Sequence, residues 1–231
     1  MNPRQHVGAS PEPVTIPVNE ATRVSGLMQR PRGARACLVL AHGAGAGMTH
    51  PFMAQIARDL AERAIATLRY QFPYMERAGR RPDSPPLCHA TVQAAVRTAR
   101  ELAPKLALVA GGKSFGGRMT SQTQADSPLP GVRGLVFLGF PLHAPNRASD
   151  ERAEHLSQVR IPMLFLQGTR DALADLTLIR RLAKRLGKLA TLKVLESADH
   201  SFHVLVRSGR TDAQVRSEML DSLASWIASV T

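Results

Sequence analysis

Cysteine is nearly missing from this chain. Only Cys37 and Cys88 occur among 231 residues, too few for a disulfide framework or a cysteine-built metal site, so both read as free thiols. Aromatic residues are scarce as well, at 4%, which leaves few ring faces for stacking nucleic-acid bases. Long apolar runs are also lacking. Stretches such as Ala36–Ala41 fall far short of the ~20 residues that a membrane helix needs. Met1–Thr15 is proline-rich and polar, without the apolar centre of a secretory leader. These absences argue against a stapled scaffold, a bilayer span and a membrane partner, and they make the cytoplasm the expected compartment.

What the chain has in excess is positive charge. Thirty Lys and Arg face eighteen Asp and Glu, a formal net charge of +12. That excess invites a nucleic-acid reading. Its distribution argues against one, because the cations are mostly arginines scattered from Arg4 to Arg216, without basic blocks or interleaved aromatics. The hydrophobic fraction of 44% is that of an ordinary globular protein. A chain of this length buries roughly 70–75% of its unfolded surface without help from metals or disulfides. One domain spanning residues 1–231 is expected, with residues 1–13 as a flexible tail.

Short Leu- and Val-rich runs alternate with longer amphipathic patterns, the signature of βαβ units around a parallel sheet. Two opening strands, around Val14–Val18 and Val24–Met28, are close enough to pair as an antiparallel hairpin. Strands then follow at Ala36–Ala41, Ala66–Tyr70, Leu106–Ala110, Val132–Gly139, Ile161–Gln167 and Leu192–Leu195. Helices are expected over His50–Ala64, His89–Leu102, a short stretch to about Gln124, Leu176–Leu186 and Asp212–Val230. In the last of these, Val215, Met219, Leu223, Trp226 and Ile227 form an apolar stripe. The long Pro/Arg stretch from Gln71 to Pro86 reads as a loop.

Gly112-Lys113-Ser114-Phe115-Gly116 fits the G-x-S-x-G turn that lifts a serine nucleophile between a strand and a helix. Bare glycines suit that turn because side chains there would collide with the neighbouring strand and helix. A phosphate-binding loop is excluded, since its first glycine would fall on Ala107. A dinucleotide fingerprint after Ala41 fails likewise, because its third glycine would fall on Met48.

A serine nucleophile needs a base, and the base needs an acid to fix its tautomer. Asp171 and His200 each follow a later strand, and a parallel sheet brings such ends together. Asp175 and His203 are the weaker candidates for these two roles. Negative charge developing on a carbonyl oxygen must meet two backbone N–H groups. Phe115 is expected to give one, and Ala44 or else Gly45, in the Gly-rich stretch after Ala41, the other. His42 reads as structural.

With these residues in place the chain resembles a single-domain α/β-hydrolase of the dienelactone-hydrolase-like group. The resemblance runs from about Val14 onward. It rests on Ala41-His42-Gly43-Ala44-Gly45, Gly112-Lys113-Ser114-Phe115-Gly116-Gly117, Gly168-Thr169-Arg170-Asp171 and Asp199-His200-Ser201-Phe202. It implies a mostly parallel eight-stranded sheet with helices on both faces, and Ser114, Asp171 and His200 as a triad. True dienelactone hydrolases use cysteine where this chain has Ser114, so the expected substrate is a small-molecule ester or similar acyl compound. No metal or organic cofactor is needed for that chemistry. Phe140–Arg160 is too short for the multi-helix cap of many relatives, which leaves an open site roofed by Phe140-Pro141-Leu142-His143 and the Tyr74 loop, with His50 and Pro51 as further candidates. The alternative is a binding or scaffolding domain with a vestigial triad.

Overall fold

Alternation along Ala36–Ala41 sends Cys37, Val39 and Ala41 to one side and Ala36, Leu38 and Leu40 to the other, and both sides are buried. A strand apolar on both faces belongs in the middle of a sheet with helices above and below. The computed structural model, which describes residues 10–231, places it there. The strands are β1 (Glu12–Pro17), β2 (Arg23–Gln29), β3 (Ala36–Ala41), β4 (Ile65–Tyr70), β5 (Ala107–Lys113), β6 (Val132–Leu138), β7 (Met163–Gly168) and β8 (Ala190–Leu195). They form one eight-stranded sheet in the order β1-β2-β4-β3-β5-β6-β7-β8. Only β2 runs against its neighbours, pairing antiparallel with β1 and β4, and every other pairing is parallel.

The helices are α1 (Pro51–Glu62), α2 (Pro73–Glu76), α3 (Pro85–Leu102), α4 (Phe115–Asp126), α5 (Leu176–Leu186) and α6 (Asp212–Val230). Met53, Ile56 and Leu60 of α1 share one core with Val215, Met219, Leu223, Trp226 and Ile227 of α6. Helices α3, α4 and α5 cover the opposite face through Val92, Val96, Met119, Ile179 and Leu182. Each such side chain contributes about 1.5–3 kcal/mol on burial. Between β6 and β7 the described chain forms a 3-10 segment, Glu151–Gln158, and no cap. No helix among the described residues is long and apolar enough to cross a membrane. Cys37 and Cys88 are buried free thiols.

Several boundaries differ from the sequence expectation, most by one or two residues, and three differences have a physical reason. Strand β5 continues past Ala110 through Gly111 and Gly112 to Lys113. A Cβ on Gly111 would lie 2.0 Å from the Val136 carbonyl oxygen, so the bare backbone is what lets β6 lie alongside. Within Gln71–Pro86, α2 forms and α3 begins at Pro85. Prolines suit the first helical turn because N–H groups there have no partner inside the helix. The expected tail ends too late: Glu12 and Pro13 already lie opposite Met28 and Leu27 in β1, an edge strand that tolerates its two prolines. Residues 1–9 lie outside the described residues.

Candidate active site

The parallel strands β3, β5, β7 and β8 all end at the same edge of the sheet, and each carries one part of the site. After β5 the backbone turns sharply at Ser114, with φ 50° and ψ −115°. A non-glycine residue so placed stores on the order of 1–3 kcal/mol of strain. The turn is fixed from both sides. The Ser114 N–H donates to the Leu138 carbonyl at 3.1 Å, and α4 starts immediately at Phe115. A Cβ on Gly112 would sit 2.5 Å from the Ala41 carbonyl oxygen, and one on Gly116 2.4 Å from that of His42. The flanking residues must be glycine because the end of β3 presses directly on the turn.

His200, in the turn after β8, places Nε2 2.9 Å from the Ser114 hydroxyl oxygen. Its Nδ1 lies 2.7 Å from Oδ2 of Asp171, which follows β7. The Asp171 carboxylate is fully buried and held from three directions. Besides His200, Gln167 donates to Oδ2 at 2.5 Å and the Leu173 N–H donates to Oδ1 at 2.8 Å. With Nδ1–H pointing at Asp171, the Nε2 lone pair of His200 faces the serine proton. Asp175 does different work, capping α5 by accepting from the Leu178 N–H. His203 pairs with Asp212, and Asp199 accepts from the Ser201 and His203 amides within its own turn.

Ala44, in the loop after β3, and Phe115, at the start of α4, present N–H groups that donate to no other group among the described residues. His42 holds the Ala44 loop. Its Nδ1 donates to the Gly43 carbonyl at 2.8 Å and its Nε2 accepts from the Phe72 N–H at 3.1 Å. That pairing needs a neutral ring, and burial lowers the pKa of His42 in keeping with it.

Ser114 opens into a cleft of about 410 Å³ whose walls include Phe52, Met53 and Leu173, with His50, Lys113 and Ser201 as polar members. The Phe52 and Phe202 rings stack with centroids 6.0 Å apart. Lys113 donates to the His200 carbonyl at 2.6 Å. Burial pushes its amine down to about 8 against the pull of Asp171 and Asp199. Neither Lys113 nor Gln167 stood out as a site residue in the sequence. For Lys113 the signal was present, as a charged residue set inside a run of glycines.

The expected roof needs correction in part: His50 lines the cleft and Pro141 lines a neighbouring one, but Pro51 lines neither. Tyr74, Phe140, Leu142 and His143 are all buried and line no part of this cleft. Phe140 packs edge-on against Phe137 and Phe165 inside the core. Tyr74 packs on His42 and Phe72. The His143 ring bonds the Ala144 carbonyl and the Asp175 N–H.

A family model described as an alpha/beta hydrolase domain matches residues 34–228. A dienelactone hydrolase from Anabaena variabilis is 20% identical at a TM-score of 0.74, over 96% of this chain and 99% of that one. An alpha-beta serine hydrolase homologue from Coxiella burnetii is also 20% identical, with a TM-score of 0.73 over 92% and 97%. An α/β serine hydrolase without a lid from Xanthomonas campestris matches at 19% identity and a TM-score of 0.71 over 97% and 98%. At such identities the likeness is one of fold.

Proposed function

We propose, from the premise that the chain belongs to the alpha/beta hydrolase family, that it is a serine hydrolase acting on carboxylic esters of small molecules. The observation that carries this reading is the connected line Ser114–His200–Asp171, opening into a cleft beside two uncommitted backbone amides. His200 takes the Ser114 proton as the oxygen attacks the acyl carbon, and Asp171 stabilises the imidazolium. The Phe115 and Ala44 amides receive the oxyanion. Collapse expels the alcohol, which leaves with the proton held on His200. Water, deprotonated in turn by His200, then attacks the acyl-serine and releases the acid. Apart from the ester and water, every group these steps use is one of the chain's own. Two buried free thiols suit a reducing compartment such as the cytoplasm.

The test is a fluorophosphonate probe applied to the wild-type protein and to Ser114→Ala, together with p-nitrophenyl butyrate hydrolysis by both. Labelling and turnover that vanish with the hydroxyl are expected. A folded wild-type protein that takes no label and turns over no ester overturns the reading in favour of a binding domain.

A further inference from the structure

Ser114 also borders a second cleft, of about 510 Å³, which shares Ala44, Ser114 and Leu173 with the first but differs in its chemistry. Its lining includes Arg118 and Arg152. Arg118 stands one helical turn beyond the nucleophile, its own N–H donating to the Ser114 carbonyl at 3.1 Å. Arg152 comes from the Glu151–Gln158 segment, which is tied to α4 by a 2.8 Å hydrogen bond between Ser121 and His155. Among the described residues neither arginine has a carboxylate within 4 Å, and Nε of Arg118 is buried without any partner. Two half-buried like charges facing each other are costly unless something negative comes between them. Three neighbouring groups fail to supply that charge, and the carboxylate of Asp126, which also acts on His155, lies against His89 Nδ1 at 3.4 Å. Burial, with Asp83 nearby, pushes the Cys88 thiol up to about 12, so it stays protonated. Burial and Arg118 itself lower His155 to about 4, so it stays neutral. Asp83 does line this cleft, but its oxygens are taken by Arg77 and the Tyr74 N–H.

We propose that Arg118 and Arg152 form an anion subsite that takes a carboxylate at one end of the ester substrate, while an apolar portion lies against Phe52 and Met53. The inference deepens the hydrolase reading and rests on it. It makes the substrate class monoesters of dicarboxylic acids or esters of hydroxy acids. The planar fork of an arginine matches the two oxygens of a carboxylate.

The test reads binding without turnover, so that its failure is distinct from a failure of the hydrolase reading, which labelling of wild-type Ser114 decides separately. Monomethyl glutarate and dimethyl glutarate are titrated calorimetrically against Ser114→Ala. The monoester is expected to bind about tenfold or more tightly than the diester, as charge-assisted hydrogen bonds allow. Adding Arg118→Met or Arg152→Gln is expected to erase most of that preference. Melting temperatures of the variants guard against misfolding, and Arg152, outside the turn and α4, is the safer of the two. Equal binding of the two esters, no binding of either, or a preference that survives both substitutions overturns the subsite. Inorganic phosphate binding in place of the monoester, abolished by Arg152→Gln, overturns the carboxylate assignment as well.

Discussion

Two serine–histidine hydrogen bonds of almost equal length occur in this protein, Ser114–His200 at 2.9 Å and Ser121–His155 at 2.8 Å. Everything around them differs. Ser114 stands on a strained turn open to a cleft, whereas Ser121 lies fully buried inside α4 in ordinary helical surroundings. The Ser121 hydroxyl gives its one proton to the Arg118 carbonyl at 3.0 Å, so His155 meets it as a donor rather than as a base. His200 has a buried carboxylate on its far nitrogen. Among the described residues His155 has none bonded to it, and burial with Arg118 beside it drives its pKa down to about 4. A short contact between serine and histidine therefore says little. The direction of the proton, the group behind the imidazole and access to the hydroxyl separate a nucleophile from a structural tie.

The comparison is broken most directly by deleting each hydroxyl. Ser114→Ala is expected to cost on the order of a millionfold in ester turnover, and Ser121→Ala to leave turnover standing, both followed with p-nitrophenyl butyrate. If Ser121→Ala were the inactive one, the assignment of the two pairs would be reversed. Asp171→Asn comes next, with an expected loss of about ten-thousandfold in turnover as His200 is held in the wrong tautomer. The nearest counterpart for the other histidine is Asp126, which bonds no nitrogen of His155 among the described residues and only pulls its pKa upward, and Asp126→Asn is expected to leave the rate alone. The smallest effect is one of stability. His155 has a lowered pKa when folded, so in the unfolded chain it binds a proton first as pH falls. The stability tied to its neutral form is present above pH 6.5, declines below it and is gone once pH passes about 4. Burial lowers His42 in the same direction. Urea denaturation of the wild type and His155→Gln at pH 7 and pH 5 is therefore read as a difference, with the flatter response in the variant.

Much of this molecule is legible in its residues, for reasons that can be named. The glycines around Ser114 are forced by the press of β3, and forced positions leave a pattern in the sequence. Strands such as Ala36–Ala41 are buried on both faces and so appear as unbroken apolar runs. The lining of the cleft was harder to read. Phe140 and Leu142 follow a strand end and look available, but the partners that bury them, such as Phe165, come from distant parts of the chain. Phe52 and Met53 belong to the first turn of α1, and only the packing of that helix shows that one side of it faces Ser114. The extension of β5 through two glycines escaped because glycine ordinarily weakens a strand. Here its lack of a side chain is the condition for the pairing.

The position of β8 at the margin of the sheet has a consequence for how the protein fails under heat. The histidine turn hangs from this outermost strand, which has a neighbour on one side only and is for the most part half exposed. Marginal elements open at lower free-energy cost than central ones. Ser114, by contrast, is anchored between β5 and β6 near the centre. On warming, the base is expected to drift away while the nucleophile still stands on an intact platform, so that thermal inactivation begins as partial fraying and is recovered on cooling.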